Sequence, residues 1–109
     1  MLVLALDTST PAVTAGVVAM RPPHELIAEL QAGRPARPAR VLAQHTVVDP
    51  LGHAEKLMPL VTAALAEAGH CLRDLDAVVV GVGPGPFTGL RVGIVTAAAL
   101  GDALDIPVH

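Results

Sequence analysis

The thirteen residues from Gly81 to Gly93, GVGPGPFTGLRVG, hold five glycines and two prolines between the apolar run Ala77 to Val80 and an alanine-rich segment. An apolar run, a glycine-rich turn and an apolar periodic segment together read as strand, turn and helix, the unit of an α/β fold. Glycine-rich turns of this kind often cradle phosphate, and two common patterns mark those that do. A Walker loop ends in Gly-Lys-Ser/Thr, and the stretch has no lysine. A dinucleotide loop needs Gly-x-Gly-x-x-Gly. Gly81 and Gly83 are followed by Pro86, and Gly83 and Gly85 by Thr88, so both frames fail. Pro84 and Pro86 also remove two backbone N–H donors that an anion nest would use. A helix start with Thr88 as N-cap would still offer free N–H groups, which keeps an anion reading open.

The spacing beyond the turn carries a second signal. Gly89, Gly93, Ala97 and Gly101 recur every four residues and so line one face of a helix. A smooth stripe lets another backbone approach closely. Periodicity leaves two uses equally open: the stripe seats the helix on its own sheet, or it receives a partner's helix.

The rest of the chain sets the frame. Its 109 residues fit one domain with one core, and with 52% apolar residues but a single aromatic, Phe87, that core is aliphatic. Cys71 is the only cysteine, so no internal disulfide forms, and MLVLALDTS lacks the positive region of a signal peptide. No apolar run is long enough to span a membrane. These features predict a cytoplasmic protein with no membrane partner. A net charge of -3 argues against a nucleic-acid footprint spread over the domain, so contact with RNA is expected only indirectly.

Leu2 to Leu6 reads as a buried strand ending in the polar turn Asp7, Thr8, Ser9, Thr10. Ala12 to Ala19, rich in β-branched residues, returns as its antiparallel partner. Residues 20–40 carry four prolines and four arginines and predict an exposed excursion with a single helical turn at Glu25 to Leu30. Its basic end GRPARPAR reads as a solvated loop or as a polyanion contact. Val41 to Val48 alternates as a third strand. From His53 to Gly69 the period becomes helical, with Leu57, Leu60, Val61, Ala64, Leu65 and Ala68 on one face and Gly69 as the stop. The opposite positions Met58, Thr62, Ala63 and Ala66 are unusually apolar for a solvent face. Asp76 to Val82 reads as a central strand, the helix after it ends at Asp105 and Pro107, and the final IPV looks like the start of one more strand. The expected fold is α/β: three antiparallel strands continuing into parallel strands through two main helices.

These residues also carry a resemblance. LALDTS, HAEKLMPLV and GPGPFTGLRVG are similar, in order and separation, to the N-terminal domain of the TsaB (YeaZ) family of tRNA threonylcarbamoyladenosine biosynthesis. The family string carries Ser where this chain has Pro86, and the excursion is longer than is common. The resemblance implies an RNase H-like, actin-like ATPase domain spanning residues 1–109, with a second domain absent here. It implies a noncatalytic subunit that dimerises with and activates TsaD, with TsaE in the larger complex, or that forms a homodimer. It assigns Met58, Thr62, Ala63 and Ala66, together with Gly89, Gly93, Ala97 and Gly101, to the interface.

Asp7, Thr8 and Ser9 resemble the first phosphate loop of the actin-like ATPases, here read as vestigial. A carboxylate at a strand end can hold hydrated magnesium, so a magnesium-ATP-binding domain of ATPase or sugar-kinase type is the alternative function. The resemblance implies no catalytic residue and no cofactor, and no metal site is expected at His53, which has only Glu55 beside it at ligand spacing. A peptidase is disfavoured, since Ser9 and Cys71 lack a recognisable base and no His-Glu-x-x-His occurs.

Overall fold

The computed structural model describes residues 1–35, 39–49, 52–83 and 89–109. Strands β1 (Leu2–Asp7) and β2 (Ala12–Met20) form a hairpin, followed by helix α1 (Pro23–Gln31) and strand β3 (Ala39–Val48). Helix α2 (His53–Ala68), a short 3-10 turn (Leu72–Asp74), strand β4 (Ala77–Val80) and helix α3 (Leu90–Leu104) complete the order. The sheet runs β3-β2-β1-β4, with β2 antiparallel to both neighbours and β4 parallel to β1. Val108 bridges Val78 in parallel, so the final residues lie where a fifth strand would pair. This is the α/β arrangement read from the sequence.

Strand alternation sorts the sheet residues into two sets. Leu4 faces Val17 and Val78 across the ladders, and Leu6 faces Ala15 and Val80. These side chains meet Leu57, Val61, Ala64 and Leu65 of α2 and Ala97 of α3 in one cluster, which puts both helices on the same face. Leu4, Val17, Val61 and Val78 are fully buried, and each such burial stabilises by about 1.5–3 kcal/mol. Leu60 and Ala68, also expected on the inner face, pack half-buried at its margin. Asp76 pins the start of the parallel pair: its carboxylate accepts from the Leu2 N–H at 2.7 Å, and its own N–H donates to the Leu2 carbonyl at 2.7 Å.

α2 runs unbroken through Pro59, an exposed position whose missing N–H leaves the Glu55 carbonyl without its helical donor. It stops at Gly69, whose φ of 76° lets the Gly69 and His70 N–H groups close back on Ala66 and Leu65.

Two expectations are corrected. The excursion holds a nine-residue helix rather than a single turn, so three α-helices lie among the described residues. Pro22 and Pro23 suit a helix start, and Arg21 bonds Glu29 at 2.6 Å and Glu25 at 3.5 Å, holding the arginine's pKa above its ordinary value. The strand expected at Asp76 to Val82 is shorter, ending at Val80. Thr88, Phe87, Pro84 and Pro86 lie outside the described residues.

Candidate docking face and the Asp7–Thr10 turn

β1 ends at Asp7, whose Oδ1 accepts from the Ser9 N–H at 2.8 Å and from the Ser9 hydroxyl at 2.6 Å. Thr8 is fully buried. Its Oγ1 accepts from the Gly93 N–H at 3.0 Å and donates to the Leu90 carbonyl at 3.4 Å. Two residues on, the Thr10 carbonyl lies 2.7 Å from His53 Nε2 at the start of α2; a carbonyl only accepts, so this nitrogen carries the hydrogen. Asp7 itself is exposed and stands over Gly81, where a Cβ would lie 2.8 Å from its carboxyl carbon. The turn thus sits at the carboxyl ends of two parallel strands, the usual ligand crevice of open α/β sheets. Both hydroxyls that the resemblance aims at a nucleotide are nevertheless bonded within the chain. Among the described residues, no group of three or more His, Cys, Asp or Glu could hold a metal.

The small-residue stripe turns inward. Gly89, Gly93, Ala97 and Gly101 are buried. A Cβ on Gly93 would come 2.6 Å from Thr8 Oγ1, and one on Gly101 would collide with the Val108 side chain. The close backbone approach that the stripe permits is used by the chain's own sheet, which corrects the assignment of Gly89, Gly93, Ala97 and Gly101 to an interface. A helix turns 100° per residue, so the opposite side of α3 is the i, i+4, i+7, i+11 set Arg91, Val95, Ala98 and Asp102. All four are exposed, Val95 by 66%. That set was missed in the sequence because its residues are not conspicuous; the signal was their position opposite the glycines.

On α2, Met58 is 38% exposed, and Thr62, Ala63 and Ala66 are exposed as expected. Ala54 of α2 and Arg91, Val92, Val95 and Thr96 of α3 line a shallow groove between the two helices. Met58 follows Ala54 by one turn and so continues the groove side of α2. Ala63 lies about 100° round from Thr62, on the flank of Glu67, whose carboxylate reaches His45 of β3 at 2.6 Å.

The remaining titratable cluster is local. Asp74 Oδ2 accepts from the Cys71 N–H at 3.0 Å and pairs with His70 Nδ1 at 3.2 Å. The Cys71 N–H first, and His70 second, hold the Asp74 carboxyl below its ordinary pKa. Cys71 is free and exposed. Ser9 Oγ donates to the Asp7 carboxylate at 2.6 Å.

The strand order, the parallel β1–β4 pair and the two helices on one face define an RNase H-like domain of the actin-like ATPase type. The chain superposes on the Thermus thermophilus RuvC structure with a TM-score of 0.56 at 21% identity, over 100% of this chain and 60% of that one, a likeness of fold alone. A family model described as TsaD: tRNA N6-adenosine threonylcarbamoyltransferase matches residues 49–109. The tRNA threonylcarbamoyladenosine biosynthesis protein TsaB of Haemophilus influenzae is 36% identical over 105 residues, 96% of this chain and 36% of that protein. YeaZ from Pseudomonas aeruginosa superposes with a TM-score of 0.74 at 36% identity, covering 99% of this chain and 42% of that one. The chain belongs to the TsaB (YeaZ) family. An uncharacterized protein of Mycobacterium tuberculosis is 53% identical over 107 residues, 98% of this chain and 43% of its own length. The chain therefore spans less than half the length of these TsaB and YeaZ relatives. Among the described residues, no helix is long and apolar enough to cross a membrane.

Proposed function

We propose that the chain is the docking domain of a noncatalytic subunit in tRNA N6-threonylcarbamoyladenosine formation, which pairs with and activates a TsaD-type transferase through the outer sides of α2 and α3. The observation that carries this is the apolar groove side of the two helices, with Met58 38% and Val95 66% exposed beside Ala54, Thr62 and Ala98. Two adjacent helices with small and apolar outward residues suit packing against another helix pair. Family membership supports the partner, since the TsaB relative is named for this biosynthesis and the transferase model matches more than half of the chain. In this reading TsaE joins the larger assembly, tRNA is contacted only through the partner, the protein works in the cytoplasm, and a second domain completes it. A homodimer through the same face competes with the transferase.

Sedimentation velocity of the full-length protein with the purified transferase tests the proposal. A 1:1 complex that Val95→Glu abolishes is the expected result. An unchanged complex in that variant, or no complex at all, removes it.

The second reading, magnesium-ATP binding, rests on the exposed Asp7 carboxylate over Gly81 at the strand ends. Against it stand the Thr8 and Ser9 hydroxyls, which are bonded within the chain.

A further inference from the structure

We propose that the β1–β2 turn is a clamp that sets the spacing of the docking helices, with Thr8 and His53 as its positioning residues. The proposal rests on the docking reading above and gives the turn a role other than nucleotide binding. Two contacts only two residues apart reach two different helices. Thr10 holds α2 through its carbonyl and the His53 Nε2–H at 2.7 Å. Thr8 holds α3 through its hydroxyl and the Gly93 N–H at 3.0 Å.

The α3 contact is a cap supplied from outside the helix. The residue at the N-cap position, Gly89, has no side chain to offer, and no side-chain cap bond forms there. The Gly89 carbonyl accepts from the Val92 N–H at 3.0 Å in a tight first turn, and the Gly93 N–H goes to Thr8, 85 residues away. The first N–H groups of a helix need such acceptors when water is excluded, and this site is buried. The absence of a Cβ on Gly93 lets the hydroxyl in: a Cβ there would stand 2.6 Å from it.

Position gives the clamp its consequence. Gly93 lies two residues from Arg91 and two from Val95, both lining the groove, and His53 adjoins Ala54, which lines the other wall. Movement of either helix start changes the width of the groove. The turn is itself rigid, because Asp7 ties Ser9 twice and Thr10 Oγ1 accepts from the Ala12 N–H at 3.1 Å. A threonine hydroxyl has one proton, here directed at the Leu90 carbonyl, so serving a phosphate would cost that bond while the lone pairs went on accepting from the Gly93 N–H.

Thr8→Val removes the hydroxyl at nearly constant volume, and Thr8→Ser keeps it. Native-state hydrogen exchange of the full-length protein is expected to show at least about fivefold lower protection at the Gly93 amide in Thr8→Val, the size of a lost cap, with α2 amides unchanged. Thr8→Ser should retain wild-type protection. Affinity for the TsaD-type transferase should fall by a similar factor in Thr8→Val and be restored in Thr8→Ser. Wild-type protection and affinity in Thr8→Val overturn the clamp, as does a protection loss spread evenly over α2 and α3, which marks a general stability effect. Equal behaviour of the Ser and Val variants overturns it too. A wild-type protein that fails to bind the transferase defeats the docking reading instead, and the exchange result then decides the clamp alone.

Discussion

A methyl group on Gly93 would stand 2.6 Å from Oγ1 of Thr8, closer than any carbon and oxygen rest without bonding. Thr8 is fully buried at the end of a central strand, and it has no room to retreat. Two effects oppose each other in Gly93→Ala. Helix propensity favours alanine by about 1 kcal/mol, while overpacking a core contact costs about 1–3 kcal/mol and the bond to Thr8 is lost as well. The clash wins, and the variant is expected to be less stable by about 1–2 kcal/mol in urea unfolding. A stabilised variant would show that α3 floats free of the sheet.

The outer sides of α2 and α3 make the opposite prediction. Val95 and Met58 are solvent-facing in the isolated chain, so Val95→Glu and Met58→Glu should leave unfolding free energy within about 0.5 kcal/mol. At a desolvated contact, the same charges should weaken binding to a TsaD-type transferase by at least about tenfold, roughly 1.4 kcal/mol. Titration by calorimetry checks this. Unaltered affinity in both variants would move the contact to another face.

Asp74 gives a pH signature. Its carboxyl is held below its ordinary pKa, chiefly by the Cys71 N–H and then by His70. A depressed carboxylate favours the folded state at pH values above its unfolded pKa, and this contribution disappears as pH falls through the lower folded value. Wild type should therefore be more stable than Asp74→Asn at neutral pH, with the difference closing on acidification below the carboxylate range. Because the site is exposed, the gap should be small. Thermal midpoints of the two proteins from neutral pH down to about pH 3 measure it, and a gap that widens on acidification refutes the assignment.

The alternative use of the turn is decided by heat. With the Thr8 and Ser9 hydroxyls engaged by Gly93 and Asp7, calorimetry of the full-length protein with magnesium-ATP is expected to give no saturable signal. Saturable binding that Asp7→Ala abolishes would instead favour the ATPase reading.

Much of this architecture is written in local pattern. Leu2, Leu4, Leu6 and the alternating Val13, Ala15, Val17 are buried where a strand period places them. Leu57, Val61, Ala64 and Leu65 are buried where a helical period does, because one side of each element must leave water. Gly69 ends α2 as a residue free to take positive φ. Only one turn of α1 is legible in the sequence because the prolines and arginines that flank it mask a short helix whose apolar residues Ile27 and Leu30 remain exposed, 54% and 64%, and so leave little core signature.

Which residues share a side of each element follows from backbone geometry and can be read from the chain's pattern alone. Which side turns inward depends on how the elements pack against one another. The stripe of Gly89, Gly93, Ala97 and Gly101 was an equally good surface for a foreign helix until Thr8, Val80 and Val108 were found against it. Close packing allows one occupant per groove. With the sheet in that place, the side of α3 left to solvent is Arg91, Val95, Ala98 and Asp102, and the turn beginning at Asp7 lies where the Thr8 hydroxyl can cap a helix 85 residues away.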